Sequence, residues 1–356
     1  MAAYLNRIAT AVPEHDVHDA FVRFADTLLT DRRSQLLFRR MAERSQIEHR
    51  YSTVEPRPLG TNADLDTDGF YRRGEFPSTA KRMQRFEDTA PDLALRATRG
   101  LKLSDAERDG VTHLIVTCCT GFSAPGLDLQ ISEGLGLNPS VERTLVGFMG
   151  CYAAINALKL ARHVVRSEPE AKVLVVSLEM CTLHLQETSD LERVLTFLVF
   201  GDGCAAALIT ADPVGLELES FHAEVAPGSA EQINWKIRDK GFDMFLSGQV
   251  PQSIRGALGA GKDRILKGDG VEDFGLWAVH PGGRTVLDAV EAAFTLPPKA
   301  LEASREVLRL FGNMSSATVL FVLKTLLDNP QEKGARGCAM AFGPGLTAET
   351  MLFSQA

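Results

Sequence analysis

The sequence lacks the features that mark membrane, secreted and metal-binding proteins. No apolar run approaches the roughly 20 residues of a membrane-spanning helix, and the chain reaches Glu14, His15 and Asp16 without the apolar core of a signal peptide. The six cysteines show no paired metal-ligand spacing, because Cys118 and Cys119 are adjacent instead of being two residues apart. We therefore expect no membrane span and no metal site, and we expect the protein in the reducing cytoplasm.

An excess of positive charge is also missing. Lys and Arg number 38 against 46 Asp and Glu, so the net charge is −8. Such a balance gives no general attraction to nucleic acid or to anionic membranes, and we expect neither as a partner. The most basic stretch, residues 36–51, contains Arg40 and Arg44. It is either a solvated helix face or a clamp for a phosphate-bearing ligand.

What the sequence does contain is typical of a large α/β protein. Its 356 residues, 45% hydrophobic and 24% charged, suggest two domains or one large duplicated one. Near-continuous apolar runs of strand length occur at Val111–Cys119, Ala171–Met180 and Cys204–Ile209, and they resume at Leu276 and again at Gly337–Phe342, read here as the last strand. Because helical patterns separate these runs, we predict strands that are covered on both faces.

One segment combines glycine, cysteine and a clear helical pattern. Cys151 directly follows Gly150, and apolar residues then repeat at three- and four-residue steps. These residues are Ala154, Ile155, Leu158 and Ala161. Cys151 would lie in the first helical turn, where the helix dipole favours a thiolate and lowers the thiol pKa. The alternative is a small cysteine buried in the core.

Two further polar residues stand beside glycine or proline at element edges. His280 ends an apolar strand directly before Pro281, and Asn313 follows Gly312 at the head of an apolar helix. Alone, the first is as often a core histidine, and the second an N-cap. A Cys–His pair with a third polar group is, however, what acyl transfer through a thioester requires. Because Gly312 and Asn313 echo Gly150 and Cys151, we also expect an internal duplication.

At these motifs the chain resembles a known family. It is similar to the type III polyketide synthases, the chalcone and stilbene synthase-like enzymes of the thiolase fold, and looks like a bacterial member. The motifs, in the family's order and spacing, are Gly150-Cys151, Phe200-Gly-Asp-Gly203, His280-Pro-Gly-Gly283, Gly312-Asn-Met-Ser-Ser316 and Phe342-Gly-Pro-Gly-Leu-Thr-Ala-Glu349. The resemblance runs from Arg40 to Glu349.

The resemblance implies a duplicated αβαβα five-layer core and a homodimer. The first half, residues 1–212, would carry the catalytic Cys151, and the second, residues 213–356, would carry His280 and Asn313. Cys151 would hold the starter acyl group and the growing chain. His280 and Asn313 would grip the malonyl thioester and stabilise the enolate left by decarboxylation. The substrates would be acyl-CoA and malonyl-CoA, with no cofactor and no metal.

Further roles follow from the same resemblance. Phe200 and Phe342 match the aromatic gate between the CoA tunnel and the reaction cavity. Arg40 and Arg44 match cations that bind the CoA phosphates, whereas Leu37 replaces a third such cation. The positions that line the family's cavity are occupied by Cys119, Cys181, His184, Trp235, Met244 and Ser315.

These cavity residues favour a fatty acyl starter. The plant chalcone-forming enzymes have smaller, hydroxyl-bearing residues at several of the positions, and Trp235 replaces a small residue and should close one route. The expected product is an alkylpyrone, an alkylresorcinol or a small polyhydroxy aromatic.

Two other functions stay open at this point. A ketoacyl synthase that starts fatty-acid synthesis shares the Cys, His and Asn set, but it performs one condensation with malonyl carrier protein. A non-catalytic partner subunit would bind acyl groups without reacting. The intact Cys151, His280 and Asn313 argue against that second alternative.

Overall fold

The computed structural model describes residues 2–58 and 65–356. In this part of the chain the largest sheet has nine strands. With strands numbered along the chain, they are, from one edge to the other, β11 (Leu276–Val279), β12 (Arg336–Gly343), β13 (Thr347–Gln355), β8 (Leu216–Val225), β1 (Tyr4–Ala11), β7 (Asp202–Thr210), β6 (Val173–Met180), β4 (His113–Cys118) and β5 (Glu142–Gly147). Two small ladders pair β2 (His15–Asp16) with β3 (Tyr51–Ser52), and β9 (Ile233–Arg238) with β10 (Gly241–Leu246).

Helices connect and cover these strands. The α-helices are α1 (His18–Leu28), α2 (Arg32–Ser45), α3 (Thr79–Arg99), α4 (Asp105–Asp109), α5 (Leu127–Leu135), α6 (Ala153–Ser167), α7 (Leu191–Val199), α8 (Val250–Ile265), α9 (Arg284–Phe294), α10 (Glu302–Phe311) and α11 (Thr318–Asp328). Short 3₁₀ turns occur at Gly150–Tyr152, Cys181–His184, Val271–Asp273, Ser315–Ala317 and Pro344–Leu346. Among the helices of the described residues, none has the length and apolarity needed to cross a bilayer.

The sheet consists of two halves with the same strand pattern. Outward from the middle, the first half runs β1, β7, β6, β4, and the second runs β8, β13, β12, β11. In both halves the successive pairings are antiparallel, antiparallel and parallel. The halves are joined through β1 and β8 by two residue pairs, Tyr4 with Glu217 and Leu5 with Leu216. The internal duplication expected from the sequence is therefore visible in the sheet; β5 has no counterpart in the second half.

Side chains that alternate along the strands define five layers. In β6, Val175 packs with α6 and α11, whereas Val176 packs with α3 on the opposite face. In β12, Ala339 joins the same central cluster, whereas Met340 packs with α8 and α9. The helices α6 and α11 thus lie between the two halves of the sheet, whereas α3 and α5 cover the outer face of the first half and α8 and α9 that of the second. The predicted five-layer α/β architecture is confirmed.

One detail of the sequence prediction was wrong. The final strand is β13, beyond the run at Gly337–Phe342 that had been read as the last one. Its apolar pattern is interrupted by Glu349, which pairs with Lys159 at 2.7 Å, and by Thr350, whose hydroxyl donates to the His222 carbonyl. These tertiary partners allow polar residues to be buried in a strand.

Candidate active site

One cavity collects residues from both halves of the chain. Its walls include ten of the residues predicted to form the site: Cys119, Cys151, Cys181, Phe200, Trp235, Met244, His280, Asn313, Ser315 and Phe342. Apolar side chains of Ile233, Leu246, Val250, Ile254 and Val286 complete much of the wall. The sequence motifs, from Gly150 to Phe342, are therefore brought together around one predominantly apolar space.

Cys151 lies in the 3₁₀ turn Gly150–Tyr152, directly before α6 begins at Ala153. The preceding Gly150 has a φ of +78°, which favours glycine. A Cβ at this position would also come within 2.3 Å of the Pro344 ring. Glycine therefore lets the loop that contains Pro344 approach the thiol closely.

His280 directly follows β11 and points its ring at the cavity. Its backbone N–H donates to the Met340 carbonyl at 2.7 Å, which fixes the residue beside β12. The residue is 1% exposed, and neither ring nitrogen has a hydrogen-bond partner. Because buried polar groups are nearly always paired, these two nitrogens indicate a place where a ligand binds. Burial lowers the pKa of His280 to about 3, so the ring alone is neutral at pH 7.

Asn313 is held by its backbone and by one side of its amide. Its N–H donates to the Val199 carbonyl at 2.7 Å, and its own carbonyl accepts from Gly201 at 3.0 Å. The amide oxygen accepts from the Ser315 N–H at 2.8 Å, whereas the amide nitrogen has one long bond, 3.4 Å, to the Gly282 carbonyl. The residue is not an N-cap; its NH₂ group keeps donor capacity for a substrate oxygen.

The protonation of Cys151 differs from the sequence expectation. Burial, the largest influence, raises the pKa of its thiol to about 12, and the nearby Ser315 and Asn313 side chains offset this only in part. The start of the helix therefore does not outweigh the loss of hydration. In this environment a thiolate or an imidazolium alone is costly, whereas opposite charges in one cavity would stabilise one another.

The two aromatic residues of the expected gate are both buried in the cavity wall. Phe200 is 3% exposed at the end of α7, and Phe342 is 5% exposed in β12. The Arg50 guanidinium, 2% exposed, donates through Nη1 to the carbonyls of Phe197 at 3.0 Å and Phe200 at 2.8 Å. Since Phe200 also forms a backbone bridge with Asn313, Arg50 helps to fix the positions of both residues.

Two residues that support the site escaped the sequence analysis. Arg50 was counted among the basic residues of a phosphate clamp, but it is buried instead. Glu179, fully buried in β6, accepts hydrogen bonds from the Cys119 N–H at 3.0 Å and from the hydroxyls of Thr120 at 2.9 Å and Ser316 at 2.6 Å. Burial raises the pKa of this carboxyl. A carboxylate inside an apolar strand was the signal that could have identified it.

His184 lies behind the cavity and not in its wall, which corrects its predicted position. One ring nitrogen contacts the Thr120 carbonyl at 2.7 Å, and the other accepts from the Phe242 N–H at 3.0 Å. The ring stacks on Phe242 with centroids 4.2 Å apart. His184 therefore supports Thr120 and the neighbouring Trp235, whose indole N–H donates to the Cys119 carbonyl at 2.9 Å.

Arg40 and Arg44 lie outside the cavity, on the exposed surface of α2. Met41 of the same helix lines a surface cleft that shares Leu246 and Val250 with the cavity, as well as part of the loop after His280. Neither arginine has an ion-pair partner within residues 2–58 and 65–356. Both cations are thus available at the mouth of the site.

A thiol, an imidazole and an amide around an apolar cavity, on a duplicated five-layer scaffold, define an acyltransferase of the thiolase fold. The family comparison agrees. The N-terminal domain model of chalcone and stilbene synthases matches residues 2–213, and the C-terminal domain model matches residues 217–356. The chain belongs to this family, the type III polyketide synthases, and is an enzyme of that class.

Curated relatives span nearly the whole chain. The alpha-pyrone synthesis polyketide synthase-like Pks18 of Mycobacterium tuberculosis is 34% identical over 369 aligned positions, which cover 99% of this chain and 91% of the relative. Bisdemethoxycurcumin synthase of Oryza sativa is 33% identical, with 88% of this chain and 82% of the relative covered.

Solved structures share the fold. PKS-I from the brown alga Ectocarpus siliculosus is 28% identical with a TM-score of 0.86, over 100% of this chain and 98% of that one. The C-terminal type III polyketide synthase domain of Steely1 from Dictyostelium has a TM-score of 0.88 at 23% identity, over 100% and 99% of the two chains. At that identity the likeness concerns the fold alone.

Proposed function

We propose that this enzyme loads an acyl group from acyl-CoA onto Cys151 and extends it repeatedly by decarboxylative condensation with malonyl-CoA. The observation that carries the proposal is the unpaired imidazole of His280, which shares an apolar cavity with Cys151 and Asn313. A buried polar group without a protein partner is retained where a substrate supplies one. The substrates of this proposal are CoA thioesters, and it includes no cofactor and no metal.

Loading is a thioester exchange. The sulfur of Cys151 attacks the acyl-CoA carbonyl carbon while its proton moves to His280. The developing oxyanion is stabilised by the NH₂ group of Asn313 and by the imidazolium. The bond to the CoA sulfur then breaks, CoA leaves as its thiol with the proton from His280, and the acyl group remains on Cys151.

Extension uses the same two donors on a second substrate. Malonyl-CoA binds with its thioester oxygen at His280 and Asn313, and loss of CO₂ leaves an enolate on that oxygen. The enolate carbon attacks the acyl carbon on Cys151, a carbon–carbon bond forms, and the cysteine sulfur is released. Few polar atoms near Phe200 and Phe342 would solvate the malonyl carboxylate. We infer that this environment favours loss of the carboxylate as CO₂.

The shape and polarity of the walls support a fatty acyl starter. The cavity is bordered by aliphatic side chains such as Ile233 and Ile254. A second, predominantly apolar cavity adjoins it and shares Cys181 and Phe200 as lining residues. Burial in such surroundings stabilises a hydrocarbon chain by about 0.8 kcal/mol per CH₂ group. We propose an alkylpyrone, alkylresorcinol or small polyhydroxy aromatic as the product.

We also propose that the protein is a cytoplasmic homodimer, and that each subunit consists of two halves, residues 1–212 and 213–356. Strand β5 is an edge of the main sheet, and Leu145 in it is 42% exposed, with Met149 nearby at 36%. An unpaired apolar edge strand of this kind is suited to pairing with a second copy. All six cysteines are buried and unpaired, which suits a reducing compartment.

The test is the mass of the products formed from malonyl-CoA and a panel of acyl-CoA starters of increasing chain length. We expect products heavier than the starter by several C₂ units, with long acyl chains preferred. Cys151→Ala is the matched control and should give no extended product. A single extension, or activity only with malonyl carrier protein, would instead identify a ketoacyl synthase. The absence of any covalent acyl group on Cys151 would identify a silent acyl-binding subunit.

A further inference from the structure

The exposed face of α2 combines features that a soluble surface rarely presents together. Leu36, Leu37 and Met41 are 53%, 40% and 47% exposed. Arg40 and Arg44 are exposed on the same helix. By contrast Arg39, which points elsewhere, is paired with Asp26 through a 3.0 Å bond from Nε. Exposed apolar groups beside unpaired cations indicate a surface that another molecule covers.

The two kinds of side chain are interleaved around the helix. At about 100° per residue, and measured from Leu36, Arg40 lies at about 40°, Arg44 at about 80° and Leu37 at about 100°. Arg33 falls at about 60° and Met41 at about 140°, which places both on this face as well. The one carboxylate near its border is Glu43, about 20° beyond Leu36 on the other side. We call this set of Arg33, Leu36, Leu37, Arg40, Met41 and Arg44 the α2 face.

The position of the α2 face beside the active-site entrance limits the kinds of molecule that could bind there. Met41 lines the cleft that leads to the cavity of Cys151. Two exposed carboxylates, Asp190 and Glu192, also line this cleft. Each accepts a backbone N–H, from Arg193 at 3.0 Å and from Gly248 at 3.2 Å, and keeps its negative charge. The α2 face carries three arginines against these two carboxylates, so the combined charge of the α2 face and the cleft is positive.

Interleaving argues against a lipid surface. A helix that inserts into a membrane presents a continuous apolar stripe, with cations restricted to its borders. On the α2 face the arginines lie between Leu36 and Leu37, so the apolar groups could not enter lipid without burying charge. A protein partner with apolar side chains among carboxylates fits the interleaved pattern.

We propose that the α2 face docks an acidic acyl-carrier protein, which delivers the starter on its phosphopantetheine arm. The inference rests on the proposed function and specifies the donor of the starter. Carrier carboxylates would pair with Arg40 and Arg44 while its apolar side chains cover Leu36 and Leu37. At the position of Leu37 the family has a cation that binds CoA. Leucine at this position lowers the affinity for free CoA phosphates and adds an apolar contact with the carrier.

The transfer is balanced without a further reactant. The Cys151 sulfur bonds to the acyl carbon, and the bond from that carbon to the pantetheine sulfur breaks. The proton of the Cys151 thiol passes through His280 to the pantetheine sulfur, so the carrier leaves as a free thiol. Malonyl-CoA remains the extender, and its CoA phosphates use the same arginines after the carrier has left.

The experiment compares two donors of one starter on the full-length enzyme. Dodecanoyl-CoA and a bacterial fatty-acid-type carrier protein loaded with a dodecanoyl group are each supplied with saturating malonyl-CoA. In the double variant Leu36→Ser/Leu37→Ser we expect kcat/KM for the loaded carrier to fall at least about tenfold, and that for dodecanoyl-CoA to stay within about threefold. Val214→Ser, at a residue 63% exposed elsewhere, is the control and should change neither value.

A second variant is expected to shift the preference between the two donors in the opposite direction, toward dodecanoyl-CoA. Leu37→Lys restores the cation of the family pattern, so the KM for dodecanoyl-CoA should fall while that for the loaded carrier rises. Equal losses with both donors, or no loss with either, would overturn the inference while leaving the proposed function intact. Binding of the enzyme to anionic lipid vesicles that is abolished by Leu36→Ser/Leu37→Ser would also overturn it. No extended product with any donor would instead contradict the proposed function itself.

Discussion

The two halves of the molecule use one structural device for different chemistry. In the first half Gly150 precedes Cys151 and a 3₁₀ turn leads into α6; in the second half Gly312 precedes Asn313 and a 3₁₀ turn leads into α11. Both glycines have positive φ, +78° and +65°. The first glycine precedes a thiol, whereas the second precedes a neutral hydrogen-bond donor.

The surroundings of Cys151 and Asn313 also differ, because only the thiol must ionise to act. Cys151 depends on its neighbours to ionise, because burial raises the pKa of its thiol to about 12. Asn313 needs no ionisation, and its orientation is fixed by backbone bonds to the end of α7. A duplicated scaffold can thus place two reactive groups at equivalent positions while different loops decide what each one does.

The largest effect should come from removing the nucleophile alone. Cys151→Ala should lower chain extension by about 10⁴-fold or more, because the acyl chain loses the sulfur proposed to hold it. Decarboxylation of malonyl-CoA should remain measurable, since His280 and Asn313 in the second half are intact. Release of labelled CO₂ and product formation, measured separately, check this division.

Asn313→Ala is the counterpart in the second half. It should lower both decarboxylation and extension, because the enolate and the oxyanion use the same donor. Undiminished CO₂ release in this variant would show that the enolate is stabilised elsewhere.

The next prediction concerns the source of the thiolate. In His280→Gln, alkylation of Cys151 by iodoacetamide at pH 7 should slow at least about tenfold, because the amide cannot accept the thiol proton. The rate in this variant should then still be rising at pH 10, since burial raises the pKa of the thiol to about 12. Mass spectrometry of the modified peptide gives the rate, and Cys151→Ala identifies the signal. An unchanged rate at pH 7 would mean that His280 does not share the proton.

The glycines before the two turns should be needed for folding in both halves. Gly150→Ala would place a methyl group against the Pro344 ring, and Gly312→Ala would place one 2.8 Å from the Val199 carbonyl. Each should lower the free energy of unfolding by about 1–3 kcal/mol. Urea unfolding measures the change.

Gly256, inside α8, is the matched control because a Cβ there meets no atom within 4 Å. Gly256→Ala should raise the free energy of unfolding by about 0.5–1 kcal/mol. If Gly256→Ala lowered the free energy of unfolding as much as Gly150→Ala, the effect at Gly150 could not be attributed to its positive φ or to Pro344.

The smallest effect should be shared by the buried histidines of both halves. Burial lowers the pKa of His18, His184 and His280 to about 3 in the folded state. Between about pH 6.5 and 3 the unfolded chain binds protons that the folded chain excludes, so the fold loses stability as the pH falls. From pH 7 to 6 each histidine should remove about 0.7 kcal/mol. In His184→Gln the loss of unfolding free energy from pH 7 to 6 should be smaller by the contribution of one histidine, about 0.7 kcal/mol. An unchanged loss would mean that His184 is hydrated in the folded state.

Much of the fold and most of the site could be predicted from the sequence because the signals are local. The apolar repeat after Cys151 depends on helical geometry alone, and all four of its residues are completely buried. Strand runs such as Ala171–Met180 are recognisable because both of their faces are covered. The motif at Asn313, by contrast, looked like a helix start until its bridge to Phe200 was seen.

The sequence by itself determined the class of enzyme, many of the elements of both halves and the three residues proposed to react. Only the tertiary structure decided what surrounds them. It placed Arg50 against the Phe200 carbonyl, Glu179 behind Cys119 and His184 outside the cavity, through contacts between residues 60 to 150 positions apart. It also set the charge states, because the pKa of a side chain depends on its burial and on neighbours that the chain brings near only when folded.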